Sequence, residues 1–186
     1  MDRSESQIIQ ACQAGHMEAF VTLYDEYVEK IYKFLYFRTF QKELAEDITS
    51  QVFLQAMSKI KSFDESKGTF QAWLYQIARN LLIDEYRKRK PVEDIENHFD
   101  IASNVNIENE TNQTLSNEAL QKLLLTLPEE SQELVTMRLW DELSYSEIAQ
   151  VTGKTEGSLK MQFSRIINKL QEHAHLLVLS LIFLYK

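Results

Sequence analysis

Glycine and proline let a chain reverse direction, and this sequence has hardly any: 4 Gly and 2 Pro among 186 residues. A chain so poor in turn formers cannot make the many tight reversals of an all-β fold. Leu, Ile, Glu, Gln and Lys are abundant instead, which predicts an all-helical protein. The 44% hydrophobic and 26% charged content excludes collagen-like, low-complexity and wholly disordered chains. The length suits one ordinary domain or two small ones.

Charge divides the chain. The formal net charge is −8, but residues 1–90 balance to zero and residues 122–186 to −1, so nearly all the acidity lies in residues 91–121. That segment starts at Pro91, is rich in Asn, Glu, Thr and Ser, and shows no helical period. It has too little apolar surface to offset ordering entropy, so residues 91–115 read as a flexible acidic linker. The expected architecture is therefore two small helical domains, 1–90 and 116–172, with an apolar tail at 173–186.

The N-terminal part predicts four helices: a short amphipathic piece over 6–18, an aromatic-rich one over 19–40, a third over 42–63, and a fourth over about 69–90. In the fourth, Phe70, Trp73, Leu74, Ile77, Ala78, Leu81 and Leu82 follow i, i+3, i+4, i+7 spacing. Downstream, Thr126-Leu127-Pro128-Glu129 and Ser144-Tyr145-Ser146-Glu147 read as capping boxes. Thr152-Gly153-Lys154 reads as a tight turn, with Thr155 capping the helix that follows. Two short helices about a Gly-containing turn make a helix-turn-helix over 144–171.

Little in the sequence suggests catalysis. The four histidines are scattered, His173 and His175 lack a third ligand nearby, and no phosphate loop, nucleophile elbow or HExxH occurs. No metal and no cofactor are expected. The single cysteine, Cys12, cannot form an intramolecular disulfide. The N-terminus lacks a signal-peptide core, and the apolar run Leu176–Tyr185 is ten residues against the roughly 20 of a membrane span. The chain reads as soluble and cytoplasmic, with no stable membrane span.

Three faces carry possible chemistry. With the apolar stripe of the last helix turned inward, Ser158, Met161, Gln162 and Arg165 face outward and Lys160 lies on the flank. Arg and Gln suit guanine and adenine edges, and Lys suits a phosphate. A plain helical hairpin with a solvated face is the alternative. On helix 69–90, Trp73 lies in line with Gln76, Asn80 and Arg87, ahead of a basic Arg87–Lys90 end. An aromatic beside amides and cations fits unpaired bases, though ordinary core aromatics and a solvated helix end would leave the same pattern. On helix 42–63, Asp47, Ser50, Gln51 and Leu54 share the side away from the stripe, a candidate protein contact.

These segments together resemble the extracytoplasmic-function class of bacterial RNA polymerase sigma factors. The resemblance is carried by FxAWLYxIARNLxIDxxRxxx within 70–90 and LSYxEIAxxxGxxxGxxKxxxxR within 143–165, in that order. It implies that region 2 docks on the clamp helices of the largest subunit of core RNA polymerase, here through Asp47, Ser50, Gln51 and Leu54. It implies capture of flipped bases of the minus-ten element by the loop 63–68, with Phe63, Asp64 and Lys67, and by Trp73, Gln76, Asn80 and Arg87. Region 4 would read the minus-thirty-five duplex through Thr155, Ser158, Lys160, Met161, Gln162 and Arg165, and touch the polymerase flap. Promoter DNA, double-stranded and melted, and an anti-sigma protein are the further partners implied. The chain departs from the family at Ser50-Gln51, where Gln-Glu is common, and at Met161, Gln162 and Ser164, where basic or aromatic residues are common. A stand-alone helix-turn-helix regulator that never docks on polymerase is the alternative function.

Overall fold

In the computed structural model, the residues described are 4–89, 126–139 and 141–184, with side chains as far as residues 88, 139 and 170 respectively. The acidic segment 91–115 and the side chains of the tail lie outside them. Every regular element among the described residues is helical: α1 Glu5–Gln13, α2 Phe20–Thr39, α3 Lys42–Lys59, α4 Phe70–Arg89, α5 Glu129–Leu139, α6 Tyr145–Thr152 and α7 Glu156–Leu184. One-turn 3-10 segments at 17–19, 60–62 and 65–67 join α1 to α2 and α3 to α4. The sequence had carried the third helix on to residue 63; the turn at 60–62 tightens it into a different geometry.

Local chemistry sets the helix ends. Ser4 accepts from the Gln7 amide while the Gln7 side chain reaches back to the Ser4 amide, a reciprocal cap that starts α1. α2 stops at Phe40, which takes the left-handed conformation at φ 49° and turns the chain back into α3. Ser144 and Glu147 form the same reciprocal cap on α6, and Gly153 at φ 74° ends it. The Thr155 hydroxyl accepts from the Ser158 amide at 3.3 Å and caps α7. The start of α5 differs from expectation. The helix opens at Glu129, and the Pro128 carbonyl accepts from the Ser131 and Gln132 amides, so Pro128 stands at the boundary that the sequence had given to Thr126.

α1 to α4 bury an aromatic and aliphatic core. Ile9, Leu23, Ile31, Phe34, Ile48 and Leu74 are among its fully buried members. Edge-to-face ring pairs knit it, with Phe34 and Tyr75 centroids 5.1 Å apart and Tyr27 and Phe70 5.7 Å apart. The helix-turn-helix α6–α7 closes over Ile148, Val151, Leu159 and Ile166.

The two domains pack against each other. α4 lies on α6, and α2 touches α5. This explains two patterns at odds with a single apolar stripe. α4 buries Ala72 and Tyr75 besides its stripe, and α5 buries seven consecutive residues, Ser131–Met137, three of them Gln132, Glu133 and Thr136. A helix covered on every side must find partners for its polar groups. Gln132 donates to the Leu127 carbonyl at 2.9 Å, the Thr136 hydroxyl donates to the Gln132 carbonyl at 2.8 Å, and Glu133 takes an arginine from each of two N-terminal helices.

Candidate nucleic-acid interface

The outer face of α3 keeps Asp47, Ser50, Gln51 and Leu54 exposed. Leu54 is 62% exposed, the largest fraction for a big apolar side chain among the described residues. The Ser50 hydroxyl donates back to the Glu46 carbonyl at 3.0 Å, leaving a face of small polar groups around the leucine. Met57, one turn on, and Val21 and Tyr24 on α2 are exposed too. Tyr24 and Phe53 rings lie 4.8 Å apart, so these apolar groups belong to one end of the α2–α3 pair. The sequence reading missed Met57, Val21 and Tyr24. Met57 was within reach, since it stands three residues after Leu54.

The loop 63–68 corrects one expectation. Phe63 does not face solvent: it is buried, its ring 5.5 Å from Phe70 and 5.1 Å from Trp73. An aromatic between two helices contributes more by packing than it would at an exposed tip. Asp64 and Lys67 are exposed. Asp64 accepts from the Ser66 amide at 3.1 Å and hydroxyl at 2.7 Å, and Lys67 Nζ lies 3.3 Å from its carboxylate. The Ser66 bonds, then Lys67, hold the Asp64 carboxyl below its usual range.

On α4, Gln76, Asn80 and Arg87 are exposed along one side, and Trp73 is half-buried at the head of the row. The Trp73 ring is backed by Phe63 and by Phe70, centroid 5.6 Å away. Arg87 makes a 3.5 Å ion pair with Asp84, one turn back on the same surface. Tyr75, two residues after Trp73, is wholly buried and belongs to the domain contact. The row is thus an indole edge on an aromatic platform, followed by two amides and a guanidinium.

On α7, Thr155, Ser158, Lys160, Met161 and Arg165 are exposed. Gln162 is half-buried, and its side-chain oxygen accepts from Lys154 Nζ at 3.4 Å, which draws it off the reading face. Lys154 also pairs with Glu130 at 2.6 Å, lowering the Glu130 carboxyl below its usual range. Lys160 is 3.3 Å from Glu156, and its ammonium lies 5.6 Å from the Tyr145 ring centroid. Neighbours therefore restrain two of the polar groups assigned to this helix. The helix itself continues unbroken to Leu184, so the backbone of the apolar tail prolongs the second helix of the helix-turn-helix.

The protein-family comparisons match this layout. Residues 23–92 match the family model described as Sigma-70 region 2, and residues 117–170 match the one described as Sigma-70, region 4. A helical region 2 followed by a helix-turn-helix region 4 is the arrangement of the sigma-70 class. Among curated relatives, the ECF RNA polymerase sigma factor BldN of Streptomyces coelicolor is 36% identical over 167 residues, covering 88% of this chain and 63% of BldN. The ECF RNA polymerase sigma factor SigW of Bacillus subtilis is 30% identical over 168 residues, covering 84% of this chain and 89% of SigW. The chain belongs to the ECF RNA polymerase sigma factors. The fold is shared with the sigma factor RpoE of Bartonella quintana in its complex with the anti-sigma factor NepR, at TM-score 0.63 and 22% identity over 82% of this chain and 94% of that one.

Proposed function

We propose that the chain directs core RNA polymerase to promoters, capturing unpaired minus-ten bases with α4 and reading the minus-thirty-five duplex with α7. The observation that carries this is the open row on α4. Trp73 on its Phe63–Phe70 platform, with Gln76, Asn80 and Arg87 exposed beyond it, offers a stacking surface, amide hydrogen-bonding groups and a cation in series. Unpaired bases need that combination, and a reader of closed duplex does not. The exposed loop residues Asp64 and Lys67 border the same end of the helix.

On α7, Ser158, Met161 and Arg165 are the side chains best presented to base edges. Thr155 and Lys160 suit the adjoining phosphates, and Gln162 contributes only if Lys154 releases it. The α3 face, with Leu54 ringed by Asp47, Ser50 and Gln51 and extended by Met57, Val21 and Tyr24, suits the clamp helices of the polymerase. An anti-sigma protein is the natural antagonist, as NepR is of RpoE in the complex named above. Recognition, without a catalytic step of its own, is the chain's part in initiation, and the cytoplasm is where it would act. No helix among the described residues is long and apolar enough to cross a membrane.

Run-off transcription with purified core polymerase and fragmented genomic DNA tests the reading. Discrete transcripts that require the protein are expected. Duplex binding without any polymerase-dependent transcript would favour the stand-alone regulator.

A further inference from the structure

α1 lies ahead of the residues that match the region 2 model, which begin at residue 23, yet its side chains reach the loop assigned to minus-ten recognition. Ser6, Gln10 and Gln13 stand at i, i+4 and i+7, on one face of the helix, while Ile8, Ile9 and Cys12 are buried on another side. Gln13, half-buried at the last position of α1, donates through Nε2 to the Phe63 carbonyl at 2.8 Å and to the Ile60 carbonyl at 3.1 Å. These acceptors lie 50 and 47 residues further along the chain. Two turns earlier, the Ser6 hydroxyl donates to Glu65 at 2.9 Å and accepts from Gln10 at 3.3 Å. Seven residues of α-helix span about 10 Å, so α1 is fastened to the loop at two separated points, one before Asp64 and one after it.

Carbonyls at a helix end need partners from outside the helix. The Ile60 carbonyl accepts from the Phe63 amide at 3.1 Å and closes the turn 60–62. The Gln13 amide adds a second bond there and takes the Phe63 carbonyl as well, since one amide nitrogen carries two donors. Both sides of the turn are thereby tied to α1. The buried Phe63 ring then lies 5.1 Å from Trp73 and 5.5 Å from Phe70. Beyond it, Asp64 accepts from the Ser66 amide and hydroxyl, and its carbonyl accepts from the Lys67 amide at 3.0 Å. The exposed Asp64 and Lys67 are therefore carried by a turn closed on itself and follow wherever Phe63 is held. At the far end the Thr69 hydroxyl accepts from the Ala72 amide at 3.2 Å and caps α4.

We infer that Gln13 is a positioning residue for minus-ten recognition: by tying the Ile60 and Phe63 carbonyls to α1, it sets where the Phe63 platform and the Asp64–Lys67 turn stand relative to Trp73, and so sharpens the choice among unpaired bases. This rests on the proposed reading of loop 63–68 and Trp73 as the minus-ten site.

The test uses the full chain with core polymerase and a promoter that it transcribes, varied one base at a time through minus-ten and minus-thirty-five. Gln13→Met keeps a long side chain that suits a helix but removes both donors. Its ratio of run-off from preferred to disfavoured minus-ten bases should fall about tenfold, the scale of one lost base contact. The minus-thirty-five ratio and the pull-down of core polymerase should stay parental. Gln13→Lys, whose ammonium can donate to both carbonyls, should recover most of the loss. Ser6→Ala cuts only the exposed bond and should lower the minus-ten ratio about twofold. Parental minus-ten discrimination in Gln13→Met overturns the inference. So does an equal fall at minus-thirty-five or in core binding, which would make Gln13 part of the general fold, and so does a Gln13→Lys protein as indiscriminate as Gln13→Met. Should Gln13→Met fail to fold, parental minus-ten discrimination in Ser6→Ala overturns the inference instead. A parent protein that transcribes without preference at minus-ten, or keeps its preference in Trp73→Ala, overturns the reading of that site on which the inference rests.

Discussion

Trp73 serves both the core and the surface. One face of the indole packs on Phe63 and Phe70, and the remainder stays open to solvent. Trp73→Ala therefore removes a stacking surface and also loosens the platform. Stacking one base on an aromatic is worth about 1–3 kcal/mol, so open-complex formation should fall about tenfold or more. Binding to core polymerase should hold, because the proposed contact is on α3. Permanganate reactivity of the promoter, set beside a polymerase pull-down, distinguishes the two. Equal loss of both would make Trp73 a structural residue only. Arg165 is the matching case on α7. Arg165→Ala should weaken binding to minus-thirty-five duplex by about 1–3 kcal/mol with little effect at minus-ten, which footprints on singly mutated promoters would report.

Among the elements, the helix-turn-helix depends on two local devices. The Ser144–Glu147 cap fixes the start of α6, and Gly153 in the left-handed region sets the turn into α7. Ser144→Ala should destabilise the C-terminal domain by about 1 kcal/mol, and Gly153→Ala by about 1–2 kcal/mol, both read by urea denaturation. These devices are visible in sequence because each is made by residues within a few positions of one another. The same holds for the stripe of α3 and for the exposed faces of α3 and α4. The surroundings of Phe63, Tyr75 and Gln162 were out of reach for the opposite reason. What buries or engages each is a neighbour brought in by folding: the Phe70 and Trp73 rings for Phe63, Asp141 for Tyr75, and Lys154, eight residues back across the turn, for Gln162. The even burial of α5 had no periodic signature at all. Its two arginine partners are 54 and 95 positions from Glu133 in sequence, and spacing rules carry no information over such gaps.

Across the whole molecule, closure is linked to protons through Asp141. Its carboxylate faces the Tyr75 hydroxyl of α4, with Lys30 and Lys33 of α2 acting on it from further away and Tyr27 beside Tyr75. Neither the Tyr75 hydroxyl nor Asp141 Oδ2 has a hydrogen bond of regular geometry. Burial is the main cause that pushes the Asp141 carboxyl up to about 7, with Tyr75 and the lysines opposing it; burial likewise raises the Tyr75 phenol. Were the domains to part, Asp141 would move back towards the ordinary carboxyl value of 3.8. The closed form thus binds the proton more tightly, so closure gains as pH falls and loses as pH rises through about 7. Between pH 8 and pH 6 the closing equilibrium should shift about tenfold towards the compact form. Inter-domain energy transfer across that range would measure it, and Asp141→Asn should flatten the response.

Leu54 stands clear of that closure. Leu54 and its neighbours on α3 are open while the domains are shut, because the contact between the domains uses α2, α4, α5 and α6. On the proposed reading, a shut molecule can meet its enzyme without parting its domains. Attachment to the transcription machinery would then require no prior rearrangement.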